Sequence, residues 1–178
     1  MNYERLCMNF NILPFIIGPL LLTQIASAHV SFIDAKPITE GKSFKATFAI
    51  PHGCEGTATT KVTIKIPEGV INVKPMPKSD WSITTETTPF AKTYQQYGKD
   101  VVQGVSSIIW EGSLPDQYYD EFTITGYLAD NAKNSDEIYF PVIQNCEIGE
   151  YLWTDTSGHQ HHGHDAKELN APSLKIVR

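Results

Sequence analysis

The chain is short of positive charge. Lys and Arg number 14 against 20 Asp and Glu, which gives a formal net charge of −6 and a pI near 5.4. The basic residues form no run, and this excludes nucleic-acid binding as the main task, because neutralising phosphates needs clustered cations. Methionine is scarce: Met76 alone joins the initiator and Met8, so there is no Met-rich Cu(I) site. No G-x-S-x-G, H-E-x-x-H, P-loop or G-x-G-x-x-G motif occurs. No segment carries a strong 3.6-residue apolar period, and beyond residue 28 no apolar stretch reaches the roughly 20 residues of a membrane span. The length of 178 residues suits one core.

What is present begins with an export signal over residues 1–28. A short start carrying Arg5 and Glu4 precedes the apolar run Ile12 to Leu22, which Pro14 and Pro19 interrupt. Ala26-Ser27-Ala28 then forms an A-x-A-type cleavage site. An uncleaved anchor is the alternative, but the run is too short and too Pro-interrupted for a good span. Cleavage after Ala28 removes Cys7 and leaves the net charge unchanged, because Glu4 and Arg5 leave together. The mature chain is expected in the periplasm or medium, with no stable membrane span.

Two cysteines remain, Cys54 and Cys146. In an oxidising compartment an even pair predicts a disulfide. It would close a loop of roughly ninety residues, worth about 4–5 kcal/mol in the chain-entropy model. A metal-binding Cys pair is the alternative.

The mature pattern reads as mostly β. Phe44, Ala46, Phe48 and Ile50 share one face of Ser43 to Ile50. Lys61 to Ile66 alternates as well, and Val70 to Val73 is expected to be its partner after the turn signal Pro67-Glu68-Gly69. Trp81 to Thr87, Val105 to Trp110, Phe122 to Leu128 and Glu137 to Val142 are further strands. Short strands punctuated by Pro and Gly predict an all-β sandwich or barrel. The expected domain covers 29–155. Residues 156–178 are expected to be a His-containing tail.

Four clusters carry candidate chemistry. His29 would open the mature chain and offer two nitrogens, its α-amine and imidazole Nδ1, in a six-membered chelate that suits Cu(II). The alternative is an incidental residue behind a cleavage site. His52-Gly53-Cys54-Glu55-Gly56 follows a strand end. Glu55 offers an oxygen donor and His52 a third nitrogen, or the glycines simply allow a tight turn anchored by Cys54. Trp153, near Cys146, is a core aromatic or a neighbour of the same site, since the disulfide would give its segment and that of Glu55 one covalent anchor. His159, His161, His162 and His164 form a cluster with divalent-metal affinity and little specificity, or a solvated tail.

Together these residues resemble the YcnI-like family of exported copper-binding domains. The matching stretches are Ala28-His29-Val30, Pro51 to Gly56, Thr59 to Val62, Ile66 to Val70, Val73 to Lys78, the Trp81 strand, Leu114 to Asp116, Tyr119 to Phe122, and Phe140 through Trp153. The resemblance covers essentially all of 28–155. It implies a cupredoxin-like or immunoglobulin-like antiparallel β-sandwich. It also implies a Cu(II) site built on His29 as a single-histidine brace, with an acidic side chain completing it (Glu55 is the best match) and a tryptophan, Trp153, beside the copper. The Cys54/Cys146 pair marks one branch of the family and is not needed for copper, and the histidine-rich tail lies outside the motif.

The expected function is therefore non-enzymatic: Cu(II) trafficking or homeostasis outside the cytoplasm, with other exported copper-handling proteins as partners. Two alternatives stand beside it. One is a copper oxygenase of the lytic polysaccharide monooxygenase type, which wants a second in-chain histidine, and His52 is the one present outside the tail. The other is a metal-independent partner-binding sandwich.

Overall fold

A computed structural model describes residues 29–132, 136–158 and 169–177. The export signal and the histidines at 159, 161, 162 and 164 lie outside the described residues. Alternation of apolar side chains dictates the central strands. In β3 (Lys42–Ile50) the buried set includes Ala46, Phe48 and Ile50; in β4 (Thr59–Lys65) it includes Val62 and Ile64; in β8 (Asp120–Leu128) it includes Phe122 and Ile124.

Two main sheets result. The first has the order β1 (Ser31–Ile33), β3, β8, β5 (Val70–Pro75). The second runs β12 (Leu169–Asn170), β11 (Glu150–Asp155), β10 (Val142–Cys146), β4, β7 (Lys99–Leu114), β6 (Ser82–Gln96). A small third sheet joins β2 (Ile38–Thr39), β13 (Ser173–Val177) and β9 (Glu137–Tyr139). Pairing is antiparallel except for β11 with β12 and β13 with β2. The chain is thus an all-β sandwich, as the strand pattern predicts. Trp110 and Trp81 reach across the core to Phe122, with ring centroids at 5.5 and 5.0 Å. Among the described residues no helix is long and apolar enough to cross a membrane.

The expected pairing of Val70–Val73 with Lys61–Ile66 is not formed. Residues 67–69 carry the chain from one sheet to the other: β4 pairs with β7 and β10, whereas β5 pairs with β8 through Val70↔Leu128. The reason lies in Gly69. Its φ is +90°, and a Cβ there would stand 2.4 Å from the Ala132 Cβ and 2.7 Å from its Cα. The backbone is drawn against the end of β8, and Ala129 N–H donates to the Gly69 carbonyl. A hairpin back onto β4 would lose that contact and expose Val70 and Ile71, both now fully buried.

The folded unit also runs past the expected boundary at residue 155. β12 extends the second sheet beside β11, and β13 pairs with β9 and β2, burying Leu174. Residues 169–177 are therefore structural rather than tail. The expected strand Glu137–Val142 is divided at Phe140-Pro141 into β9 and β10, which join different sheets.

β6 and β7 form a much longer hairpin than the apolar pattern indicates. Their turn is Tyr97-Gly98, both with positive φ (51° and 74°), the conformation a type I′ turn needs. Register shifts at Glu86/Thr87 and Pro89/Tyr94 bend the hairpin over the end of the first sheet. There Tyr94 is buried, and Lys92 Nζ sits 5.2 Å from its ring. Burial first, then the adjacent Glu68 carboxylate, pushes the Tyr94 phenol up from 10.0 to about 12.

Two measurements check this account. Gly69→Ala forces a side chain into a left-handed, occupied position and should lower stability by about 1–3 kcal/mol in urea denaturation. Because the folded-state pKa of Tyr94 is raised, its neutral phenol stabilises the fold fully below pH 10 and loses that contribution as pH rises towards 12. Tyr94→Phe should flatten that part of the decline in thermal midpoint.

Candidate metal site at the start of the folded chain

The site begins with a three-residue strand. β1 pairs with β3 through Ser31↔Ala49, Phe32↔Phe48 and Ile33↔Thr47. Continuing that register places His29 opposite Pro51, next to His52. Val30 is buried, and Phe32 packs on Phe48 at 4.5 Å and on Phe140 at 5.7 Å, so the strand is pinned to both sheets. On the second sheet, Trp153 lies opposite Val142 in the β10–β11 pair and is 3% exposed.

The exposed imidazole of His29 meets the Trp153 indole across the two sheets, with centroids 5.4 Å apart and planes tilted by 59°. The row of rings continues from Trp153 to Tyr151 at 5.7 Å and from Tyr151 to His52 at 6.4 Å. Trp153 Nε1 is buried and has no hydrogen-bond partner. Trp110 carries the same unpaired N–H inside the core, so the orphan donor alone marks nothing; the position of Trp153 beside His29 does.

The neighbouring turn is Cys54-Glu55-Gly56-Thr57. Glu55 and Gly56 both have positive φ (51° and 77°), and Thr57 N–H donates to the Cys54 carbonyl at 2.8 Å. Gly53 is obligatory, since a Cβ there would fall 1.8 Å from the Thr57 carbonyl oxygen. The expected disulfide is present: Cys54 and Cys146 are joined at 2.00 Å. It clamps this turn to the Cys146–Gly149 turn, and Glu147 N–H adds a bond to the Ala58 carbonyl at 3.0 Å. The buried Gln144 amide donates to the His52 carbonyl at 2.7 Å and to Thr59 Oγ1 at 2.8 Å.

The structure thus brings His29 to Trp153, His52 to Tyr151 and Cys54 to Cys146. Glu55 is exposed on the disulfide turn, its carboxylate 4.0 Å from the place a Cβ would take on Gly149. Among the described residues no three His, Cys, Asp or Glu side chains converge as a metal cage. A free amine on His29, together with its imidazole, would suit a two-nitrogen chelate for Cu(II). Leu169 is the strand partner of Trp153. Tyr151, from the Glu150–Trp153 segment, and Gln144 complete this end of the sandwich; the burial of Gln144 has no signal in the apolar pattern, since a polar residue inside a β-run reads as surface.

A sequence profile described as a domain of unknown function (DUF1775) matches residues 29–176. The chain belongs to this family. It is the family of the YcnI-like proteins. The match begins at His29 and ends within β13, so the family domain includes the C-terminal strands. No functionally curated protein matches the chain. A solved structure titled as an uncharacterized protein from Nocardia farcinica that reveals an immunoglobulin-like fold is similar, with TM-score 0.57 and 18% identity over 85% of this chain and 100% of that one. At that identity the likeness establishes the fold, an immunoglobulin-like sandwich. An intramolecular disulfide in this DUF1775 domain fits an exported protein.

Reduction of Cys54–Cys146 releases a constraint spanning 92 residues. The paired Cys54→Ser and Cys146→Ser variant should lose about 2–5 kcal/mol of stability, read as a lower urea midpoint that reductant no longer shifts.

Proposed function

We propose that this DUF1775 domain is an exported Cu(II)-binding protein acting in copper trafficking or homeostasis, in the periplasm or outside the cell. The observation that carries the reading is the 5.4 Å contact between His29 and Trp153 at the first residue of the folded domain. Cleavage after Ala28 would turn the amide nitrogen of His29 into an amine. That amine and Nδ1 of the same residue then chelate Cu(II), which prefers nitrogen donors and tops the divalent affinity order. Trp153 covers one side of the chelate and limits access of solvent. Glu55 is the proposed acidic ligand, carried on a turn that the disulfide holds at this end. His52 is auxiliary, and the histidines 159, 161, 162 and 164 are proposed to collect metal and pass it on. Exported copper-handling proteins are the proposed donors and acceptors.

The domain binds copper and does not catalyse. A monooxygenase-type brace wants two histidines on one metal. The ring of His52 stands against Tyr151 at 6.4 Å, a further ring away from Trp153, which supports binding over oxygen chemistry.

The test uses protein purified from the envelope or medium, with its first residue read by mass spectrometry. A start at His29 and quenching of Trp153 emission by one equivalent of Cu(II) are expected. With the four histidines of 159–164 replaced by Ala throughout, His29→Ala should weaken binding at least about a hundredfold, or ~2.7 kcal/mol. Trp153→Phe should keep binding and lose the quench. A different or blocked first residue, or undiminished affinity in His29→Ala, overturns the proposal.

A further inference from the structure

The outer face of the first sheet holds a second, unrelated feature. The tip of the β6–β7 hairpin folds back over this face, because the two register shifts in β6 redirect it. Gln96 accepts a hydrogen bond from the Asn72 amide, and Tyr97 rests on Tyr127 with centroids 5.8 Å apart. Between tip and sheet lies a groove of about 350 Å³. Its floor is Ser43, Thr125 and Tyr127, and its sides are Asn72, Lys74 and Gln96.

The chemistry of this lining is distinctive for so acidic a chain. It offers two amides, three hydroxyls and an ammonium, and no carboxylate lines it. A second lysine adjoins: Lys45 and Lys74 are both register partners of Thr125, one on each side. Burial first, then the nearby Asp130 carboxylate, holds the Tyr127 phenol above its ordinary range, so its hydroxyl remains a donor. Tyr97 stands 83% exposed at the rim. An exposed ring beside convergent amides and hydroxyls matches a ligand with an apolar face and a hydroxyl-rich edge. Asn72 takes φ 52° at the register shift, a left-handed turn that asparagine tolerates and that directs its amide to Gln96.

We propose that this groove binds an acidic saccharide unit. The sugar ring stacks on Tyr97, its hydroxyls exchange hydrogen bonds with Asn72, Gln96, Ser43 and Thr125, and its carboxylate faces Lys74 and Lys45. The site is independent of the metal reading, since it lies on the outer face of β3, β8 and β5 and uses no residue of the His29 end.

The test is an NMR titration of the purified protein with trigalacturonate, with neutral cellotriose as the comparison. Saturable amide shifts at Ser43, Asn72, Gln96 and Thr125 are expected with the acidic sugar and not with the neutral one. Tyr97→Ala and Lys74→Gln, both exposed, should each weaken binding about tenfold at an unchanged unfolding midpoint, while His29→Ala leaves it intact. Monomeric galacturonate supports the proposal in either case: equal affinity identifies a free sugar acid as the ligand, weaker affinity a polymer. No saturable shift, equal binding of cellotriose, or wild-type affinity in Lys74→Gln overturns it.

Discussion

Everything at the His29 end depends on three phenylalanine rings. β1 is only three residues long, too short to hold itself on a sheet edge by backbone bonds. Phe32 supplies the hold, packed on Phe48 from its own sheet and on Phe140 from the β9–β10 junction, and Phe48 and Phe140 are themselves 5.8 Å apart. Burying one such ring is worth about 1.5–3 kcal/mol. Terminal strands without an anchor fray. Here the anchor fixes His29 against an indole from the opposite sheet and makes its position a defined place.

The disulfide does a different job. It locks two turns, Cys54–Thr57 and Cys146–Gly149, whose backbone groups then satisfy one another, and Gln144 fills the space behind with bonds to His52 and Thr59. A buried amide left unpaired costs about 1–3 kcal/mol, so Gln144 ties the position of the His52 backbone to the integrity of the sheet. The end of the sandwich is thereby held from both flanks, aromatic on one and covalent on the other.

The central strands were legible because one face of each is buried: Phe48, Ile64 and Ile124 announce β3, β4 and β8 by alternation. The disulfide was legible from counting. The neighbour of β5 is not legible, since Pro67-Glu68-Gly69 reads as a hairpin turn and only the closeness of Ala132 to Gly69 makes it a crossover. The far half of the β6–β7 hairpin is hidden because its few core-facing residues, Phe90, Tyr94 and Val101, are spread among Thr, Lys and Gln, and its Tyr97-Gly98 turn lacks the usual Asn-Gly signal. β12 and β13 are stabilised by strands far away in the chain, which no local pattern reveals. At the candidate site, His29 is legible from its place behind the cleavage signal and Trp153 from the anchor its segment shares with Glu55, and the family resemblance joins them; that they meet follows from Phe32 and the β10–β11 register, which periodicity does not encode.

β6 is the open flank of the six-stranded sheet, and its 15 residues give it unusual length for an edge. A straight strand of that kind would template fibrillar stacking of one molecule on the next. Pro89 lacks the N–H that such an intermolecular ladder requires, and the offsets on either side of it break the spacing into short, mismatched stretches. At this flank a second copy finds no long, straight run of free backbone to pair along.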